Sequence, residues 1–410
     1  MKGIKRVEFE NGLNLLMERR PYTKEAVILV GTRTGSIDEN KENSGITHFV
    51  EHMLFRTNRW KTTPKIKEEL ESAGADIGAE TSQVHMVFYA KTLPAEIPKT
   101  LQIIYQAVVN DRYLDEEFLN EKENILSEIK LCIEHPLNYA YDNLFLPTLF
   151  KGTPLEKPIA GTVESVSKIT KEELIDFKKR FCIPELVVVA GKFDEQGLIK
   201  NVEKTFGKLP SKNTPKLSLK MPLETEGVRK FEENKEIDQT YLNLGFRVPG
   251  LYHRDVFKLR LIQGILTEGL SSRLFKKLRD ERGIGYGIDS SLEGFNEIGD
   301  FHFVVTILDP RRIEEVEEVI KGEFRNLKTN SVREKELKRA KNLILRRYYD
   351  GLEHIENRAS QILIREFQNV RCDFRKLDYY LERLSPRSIR EAANQYLTDD
   401  YTLTALVPGT

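Results

Sequence analysis

The sequence predicts an α+β fold made of two homologous domains that derive from an internal duplication. Three observations lead to this prediction. The chain has 410 residues, which suits two or three domains. Strand-like and helix-like segments alternate along it, and their order in the first half returns in the second. We predict an N-terminal domain at residues 1–208, a linker at 209–230 and a C-terminal domain at 231–410.

The first elements are strands followed by two helices. Residues 4–34 carry the patterns of strands around a turn at Asn11-Gly12. The segment 45–55 has helical spacing, and a second helix starts near Pro64, because proline is favoured in a first turn. Residues 84–90 are rich in β-branched and aromatic side chains and predict a strand.

Helices dominate the region after this strand. Apolar residues recur at helical spacing between Ile97 and Val108 and between Phe118 and Ile129. Patterns further on predict a helix up to residue 181, a strand at 186–190 and a helix at 195–206. Residues 209–225 contain three prolines and no clear period, which is typical of a linker between domains.

The segment 45–55 contains the pattern His-x-x-Glu-His, formed by His48, Glu51 and His52. On a helix these residues lie at i, i+3 and i+4, so two imidazoles and a carboxylate share one face. A catalytic zinc site uses three His or carboxylate ligands and keeps one position for water, and a neighbouring carboxylate can act as the base. The same pattern also arises by chance on a packed helix, and a third ligand would decide between the two.

Short matching blocks support the duplication. Segments 70–74 and 278–283 each precede a strand, and Asn124 and Asn342 each lie in an apolar helical segment. Aligning these two asparagines places Leu266, Gly269 and Leu270 opposite His48, Glu51 and His52, and Arg346 opposite Glu128. We therefore expect metal ligands in the first half alone.

The composition argues against several classes of function. Lys plus Arg and Asp plus Glu are both 64, so the charge balance does not indicate binding to nucleic acid or to an acidic membrane. No apolar run approaches the ~20 residues of a membrane span. The cysteines Cys132, Cys182 and Cys372 form no C-x-x-C pair and favour a reducing compartment. The N-terminus lacks a signal-peptide pattern, so we expect a cytoplasmic protein.

Two carboxylates later in the first half offer a third ligand. Glu121 and Glu128 are seven residues apart and would share one face of a helix. With these residues the sequence resembles the M16 family of zinc peptidases, the pitrilysin and mitochondrial-processing-peptidase group. The resemblance implies that His48, His52 and Glu128 bind one Zn²⁺ per chain. It also implies that Glu121 hydrogen-bonds to a ligating His and holds its tautomer.

The resemblance covers essentially the whole chain, through the blocks Gly35–Glu39, Glu51–Phe55, Gly161–Ser165 and Leu278–Gly283. The length fits the M16B branch. The resemblance implies two homologous α/β-sandwich domains, each with helices packed on a mixed, largely antiparallel sheet, that form half of a clamshell chamber. A homodimer, or a heterodimer with a related chain, is therefore expected.

Two residues of the second half receive a catalytic role from the resemblance alone. In the family an Arg and a Tyr seven residues apart reach the substrate, and they match Arg279 and Tyr286. A guanidinium and a phenol are donors suited to a developing oxyanion. Without the family, Arg279 would be a surface ion-pair partner and Tyr286 a core aromatic. Arg282 is a rival to Arg279.

The resemblance also implies that a peptide substrate adds as a strand to a sheet edge. The matching edge is Ile77–Ser82, with Gly78, Ala79, Glu80 and Thr81 at its centre. The family commonly has Asn-Ala-Tyr-Thr-Ser-Arg-Glu here. This chain has Gly78 and Glu80 for the Asn and the Tyr, and Gln83 and Val84 for the Arg and the last Glu. Preferences for substrate side chains therefore do not transfer.

Together these features predict a zinc-dependent endopeptidase that hydrolyses unfolded peptides or short polypeptides inside a dimeric chamber, with Glu51 as the base. The alternatives are a subunit of a heterodimeric processing peptidase and a non-catalytic peptide-binding partner. A metallohydrolase of another bond would rest on the His-x-x-Glu-His pattern alone. Because the predicted site uses both halves, separating them near residues 209–225 is expected to leave zinc bound and to abolish activity.

Overall fold

The computed structural model describes residues 3–212, 219–225, 229–251, 253–368 and 376–409. Within these ranges the chain divides into two compact units. The first unit contains the described residues of 1–131, 157–217 and 351–367, and the second those of 132–156, 218–350 and 368–410. Cys372 and parts of the predicted linker, 213–218 and 226–228, lie outside the described residues.

The strands, in chain order, are β1 (Ile4–Glu8), β2 (Asn14–Arg19), β3 (Ala26–Thr32), β4 (Asp76–Thr81), β5 (Met86–Thr92), β6 (Leu186–Gly191), β7 (Arg229–Lys235), β8 (Thr240–Pro249), β9 (Gly287–Phe295), β10 (Ile298–Ile307) and β11 (Thr402–Pro408).

The α-helices, in chain order, are α1 (Ile46–His52), α2 (Thr63–Ser72), α3 (Ile97–Val109), α4 (Asp115–Glu134), α5 (Pro136–Asn138), α6 (Leu146–Leu149), α7 (Val163–Lys168), α8 (Lys171–Phe181), α9 (Glu195–Lys204), α10 (Val256–Leu266), α11 (Ile313–Thr329), α12 (Glu334–Glu353), α13 (Ile355–Phe367), α14 (Leu377–Glu382) and α15 (Pro386–Tyr396). A π-helical segment, Tyr139–Phe145, joins α5 to α6. Among the described residues, no helix has both the length and the apolar character needed to cross a membrane.

The first unit is built on a six-stranded sheet in the order β1-β2-β6-β3-β5-β4. Neighbouring strands are antiparallel except β2 and β6, which are parallel. β3 and β6 are buried along their whole length, as expected for strands that have a packed layer on each face. β4 lies at one edge of this sheet.

The second unit repeats this arrangement with one strand fewer. Its sheet has the order β7-β11-β8-β10-β9, in which β7 and β11 are parallel and the other pairs are antiparallel. In order and direction these strands match β2-β6-β3-β5-β4. α10 follows β8 as α1 follows β3, and α11 and α12 follow β10 as α3 and α4 follow β5. The predicted fold of two homologous domains is confirmed.

The spacing between equivalent elements is not constant along the chain. α10 ends at Leu266, so Gly269 and Leu270 lie outside the helix that is equivalent to α1. The alignment that placed them opposite Glu51 and His52 is wrong there, because the loops between equivalent elements differ in length. The sequence of α10, VFKLRLIQGIL, contains no His, Cys, Asp or Glu.

One face of the first sheet is covered by α13, a helix from the second half of the sequence. Its apolar side chains join β2, β3, β5 and β6 in one buried cluster; they are Ile355, Ala359, Ile362, Leu363 and Phe367. An ion pair between Arg358 and Glu18 borders the cluster. Arg33 donates hydrogen bonds to the carbonyls of Glu366 (3.0 Å) and Phe367 (3.2 Å). These carbonyl groups at the C-terminal end of α13 have no partner within the helix.

The second unit receives a helical segment in return, the residues from α5 to α6. The hydroxyl of Tyr141 donates to Asp300 (2.9 Å), and Asn243 Nδ2 donates to the carbonyl of Ala140 (3.2 Å). Neither residues 1–208 nor residues 231–410 therefore contain all of one unit. Hydrophobic periodicity is a local signal and does not report such an exchange.

Gly31 on β3 lies directly beneath α13. A Cβ at this position would be 2.7 Å from Cζ of Phe367, which is closer than packed carbon atoms approach. We expect Gly31→Ala to destabilise the protein by about 1–3 kcal/mol through overpacking, measured as a lower midpoint in urea unfolding.

Gly322→Ala is the matched control for this substitution. Gly322 lies inside α11, where an added Cβ would have its nearest neighbour at 3.9 Å. Because alanine favours helix, this variant should gain about 0.5–1 kcal/mol. Equal midpoints for the two variants would contradict the predicted close contact at Gly31.

Candidate metal centre

The helix that carries His48, Glu51 and His52 is short and is positioned by its surroundings. α1 begins after Gly45, whose φ of 92° lies in the left-handed region that favours glycine. A Cβ at this position would be 2.5 Å from the carbonyl oxygen of Ala160, so a larger residue would clash there. The side chains of Phe49 and Val50 are fully buried. A helix of seven residues is not stable alone, so these contacts determine where the three polar residues lie.

A buried carboxylate caps the first turn of α1. Glu39 accepts hydrogen bonds from the main-chain N–H groups of Gly45 (2.8 Å) and Thr47 (2.9 Å). Such bonds satisfy the free N–H groups of a helix N-terminus, where negative charge is also favoured. Burial raises the pKa of Glu39 to about 7. Glu39 therefore holds the start of the helix next to His48.

The third candidate ligand comes from α4, which packs beside α1. The rings of Phe49 and Phe118 stack with their centroids 4.9 Å apart, and Ile125 is fully buried on the same face of α4. The helical repeat places Glu121 and Glu128 on this face as well. Glu121 is buried, whereas Glu128 is partly exposed.

Donor atoms of His48, His52 and Glu128 converge. Nε2 of His52 lies 3.2 Å from Oε2 of Glu128, and Nε2 of His48 lies 3.7 Å from Oε1 of Glu128. One donor atom from each residue lies within 4.8 Å of the other two. Within the described part of the chain, no other three His, Cys, Asp or Glu side chains meet in this way.

This donor set fits a zinc ion. Zinc binds imidazole nitrogen and carboxylate oxygen at about 2.0–2.2 Å, so two ligand atoms of a tetrahedral site lie roughly 3.3–3.6 Å apart. The separations of 3.2 and 3.7 Å lie on either side of that range. Three protein donors also leave one position for water or substrate. His48, His52 and Glu128 could therefore hold Zn²⁺.

Protonation of the two histidines differs. Burial, together with the neighbouring His52, lowers the pKa of His48 to about 4, so this imidazole is neutral near pH 7. Burial opposes a charge on His52 too, but hydrogen bonds to Glu128 and Glu121 outweigh it and raise its pKa. The hydrogen bond from His52 lowers the pKa of Glu128. A metal ion would replace the proton that His52 and Glu128 share.

Glu121 orients the ring of His52 from its other side. Nδ1 of His52 lies 3.2 Å from Oε2 of Glu121. When Nδ1–H donates to this carboxylate, the lone pair of Nε2 faces Glu128. Arg56 pairs with Oε1 of Glu121, and Asn124 donates to the same oxygen at 3.1 Å. Both oxygens of the buried carboxylate are thus satisfied.

Glu51 shares the helix with the two histidines but is not one of the converging donors. Burial raises the pKa of its carboxyl group, although a hydrogen bond from Thr81 partly opposes this shift. The Thr81 hydroxyl donates to Oε2 of Glu51 at 2.6 Å. Thr81 is the last residue of β4, so the predicted base is connected to the predicted substrate strand.

The predicted substrate strand, including Gly78, Ala79, Glu80 and Thr81, lies on β4. β4 pairs with β5, and no other strand of the described residues pairs with it. Its open edge could therefore accept a further strand. The next strand, β5, begins at Met86 rather than at residue 84 as predicted.

Arg279 and Tyr286 lie in the second unit, where they contact each other. The guanidinium carbon of Arg279 is 5.2 Å from the ring centroid of Tyr286. Tyr286 is 81% exposed and is therefore not a core aromatic. Arg282 pairs with Glu281 at 3.3 Å, whereas Arg279 has no carboxylate partner among the residues that the structure describes. Arg279 is the better candidate for contact with a ligand.

Comparison with known proteins identifies the family. Residues 14–163 match Insulinase (Peptidase family M16), and residues 168–344 match the Peptidase M16 inactive domain. An uncharacterized zinc protease of Rickettsia felis is 31% identical, over 82% of this chain and 80% of that protein. The chain belongs to the M16 peptidase family.

Other relatives match nearly the full length of this chain. Uncharacterized zinc proteases of Mycobacterium leprae and Bacillus subtilis are 28% and 27% identical, over 99% of this chain and 92% and 98% of theirs. A protease structure from Helicobacter pylori has a TM-score of 0.90 at 22% identity and covers 99% of both chains. A chain of complex III2 from Candida albicans has a TM-score of 0.85 at 16% identity, over 98% of this chain and 96% of that one. At these identities the two structures show a shared fold alone.

Two contacts at the centre have no signal in the sequence. Glu39 belongs to a block typical of the M16 family, but it caps a helix that begins several residues later, across a loop with no periodicity. Thr81 belongs to the predicted substrate strand, yet its hydrogen bond to Glu51 depends on how β4 packs against α1. Neither spacing nor composition could have assigned these roles.

Proposed function

We propose that this chain is a zinc-dependent endopeptidase that hydrolyses unfolded peptides or short polypeptides. The observation that carries the proposal is the convergence of donor atoms from His48, His52 and Glu128 beside Glu51. The names of the relatives from Mycobacterium leprae and Bacillus subtilis, both zinc proteases, support zinc as the metal.

In this mechanism His48, His52 and Glu128 hold the metal. When bound, zinc supplies Lewis-acid chemistry, since it polarises a carbonyl group and lowers the pKa of water. The carboxylate of Glu51 accepts a proton from the attacking water and delivers it to the leaving amine. Its raised pKa suits a group that both accepts and donates. The Thr81 hydroxyl holds that carboxylate in one orientation.

The substrate would bind as an added strand on the open edge of β4. Main-chain hydrogen bonds then provide much of the affinity, which explains why the substrate must be unfolded. Arg279 and Tyr286 would donate hydrogen bonds to the oxyanion that develops on the scissile carbonyl. Their contact with each other favours a common role for the two side chains.

Pairing of two chains around a chamber, as a homodimer or with a related chain, and a cytoplasmic location belong to the same proposal. A non-catalytic, peptide-binding subunit is the alternative. The complete set of His48, Glu51, His52 and Glu128 argues against it, because a subunit that only binds peptide needs no metal ligands and no base.

Metal analysis together with a cleavage assay tests the function. We expect about one zinc per chain, as in other catalytic zinc sites, and hydrolysis of an unstructured fluorogenic peptide that a chelator removes and added zinc restores. Glu128→Gln should weaken zinc binding by at least about 100-fold, because even residues behind the ligands contribute 10–100-fold.

Glu123→Gln on the exposed side of α4 is the matched control and should bind zinc like the unaltered protein. Absence of zinc from the unaltered protein would refute the metal centre. Unchanged affinity in Glu128→Gln would refute the assignment of Glu128.

A further inference from the structure

The edge strand β4 has one acidic face. Side chains alternate along a strand, so Asp76, Gly78 and Glu80 share one face of the sheet. Thr81 points to the opposite face, where it contacts Glu51 of α1. The acidic face, defined by Asp76, Gly78 and Glu80, is therefore the face of β4 opposite to the Thr81 side chain.

An aromatic ring lies across the middle of the acidic face. Tyr89 of β5 is opposite Gly78 in the antiparallel register. A Cβ at Gly78 would be 2.2 Å from the phenol oxygen of Tyr89, so the ring occupies the space that a side chain at residue 78 would take. Tyr89 nevertheless stays 41% exposed. Its ring is accessible to a ligand at the sheet edge.

Asp76 and Glu80, the two carboxylates of the acidic face, are exposed. No Lys, Arg or His of the described residues pairs with Asp76 or Glu80. Lys91, which is opposite Asp76 on β5, pairs instead with Glu25 (3.1 Å) and Glu356 (2.7 Å). Two negative charges beside Tyr89 are thus available to cations from outside the chain.

We propose that the acidic face makes the site selective for peptides that carry Arg or Lys at alternate positions. This inference rests on the proposed function, because it takes β4 as the substrate strand. A peptide added to the open edge of β4 places every second side chain on the acidic face, about 4.5–5.5 Å across from Gly78 or Glu80 measured between Cβ positions. A guanidinium or ammonium group there pairs with Asp76 or Glu80 and lies against the Tyr89 ring.

Two of the four departures from the usual family pattern, Gly78 and Glu80, fall on the acidic face. Gly78 and Glu80 replace the common Asn and Tyr, whereas Ala79 and Thr81, on the face toward Glu51, retain the common residues. Within β4, the differences therefore lie on the face where substrate side chains would be contacted and not on the face toward Glu51. Residues between the basic positions face Ile77 and Ala79 and should be small or apolar.

The expected selectivity is moderate, because the contacts are exposed to water. An exposed ion pair and an exposed cation–π contact each change an equilibrium constant by roughly 1.5- to 5-fold, so the two together predict a preference of about 5- to 10-fold. Salt screens exposed charges, so the preference should shrink at high ionic strength.

The test uses unstructured fluorogenic peptides of equal length that carry Lys, Ala or Glu at alternate positions. Their kcat/KM values are measured with the unaltered protein, with the Asp76→Asn and Glu80→Gln double variant, and with Glu71→Gln as a control carboxylate on α2. We expect a 5- to 10-fold preference for the Lys peptide over the Ala peptide, kept in Glu71→Gln, whereas in the double variant the ratio of the two kcat/KM values should fall to about 1.

Binding of the same peptides to Glu51→Gln, measured by fluorescence anisotropy, separates this inference from the proposed function. Stronger binding of the Lys peptide without any cleavage by the unaltered protein would support the acidic face and overturn the peptidase. Cleavage of all peptides with equal kcat/KM would overturn the acidic face and leave the peptidase in place. A preference that persists in the double variant would also overturn it.

Discussion

Replacing Glu51 with glutamine is expected to reduce kcat for peptide cleavage by about 10²–10⁴-fold, the usual contribution of a general base. The side chain keeps its size and can still contact the Thr81 hydroxyl, but it no longer accepts the proton. Zinc content should not change, because Glu51 is not one of the converging donors. Cleavage is followed with a fluorogenic peptide, and zinc by elemental analysis.

Thr81→Val is the graded control for this substitution. Valine has nearly the shape of threonine but does not donate to Oε2 of Glu51. We expect kcat between those of the unaltered protein and Glu51→Gln, with zinc again bound. Full activity of Glu51→Gln would rule out its role as the base, and loss of zinc would show that Glu51 supports the metal instead.

Residues 1–208, produced alone, are expected not to form a stable zinc-binding domain. This fragment lacks α13, so the face of the first sheet that contacts Ile362, Leu363 and Phe367 would be exposed to water. Loss of Phe367 alone, as Phe367→Ala, should destabilise the whole chain by about 3–5 kcal/mol. Production of the fragment together with residues 209–410 should restore a soluble, zinc-binding complex.

A protease site inserted within residues 209–230 provides the companion experiment. The cut protein should stay together in size-exclusion chromatography and keep its zinc, because each unit contains a segment from the other half of the chain. The sequence alone led to a different expectation, in which the two halves come apart and the first half keeps the metal by itself. A fragment 1–208 that binds zinc and unfolds cooperatively on its own would show that α13 is dispensable.

Residue spacing within single helices was sufficient to predict much of the candidate site. The spacing of His48, Glu51 and His52 places them on one helix face by geometry alone. The seven-residue interval between Glu121 and Glu128 places these two on one face of α4 in the same way. The resemblance to the M16 family then linked the two helices, and one donor atom from each of His48, His52 and Glu128 lies within 4.8 Å of the other two.

Other features depend on contacts between segments that are distant in the sequence. The capping of α1 by Glu39 and the hydrogen bond from Thr81 to Glu51 each cross a loop or join a strand to a helix. The contact between Tyr89 and Gly78 depends on strand register. Periodicity does not encode register between strands that are separated by a loop, so these contacts had no signal in the sequence.

The order of strand-like and helix-like segments was enough to predict the duplicated α+β architecture, and residue spacing within single elements was enough to predict the His-x-x-Glu-His helix and the paired glutamates. The tertiary structure alone decided that the halves exchange α13 and the α5–α6 segment, and that an acidic face borders the open edge of β4. Both are decided by long-range packing. A buried strand such as β3 needs apolar partners on both faces, and any segment of the chain that reaches it can supply them.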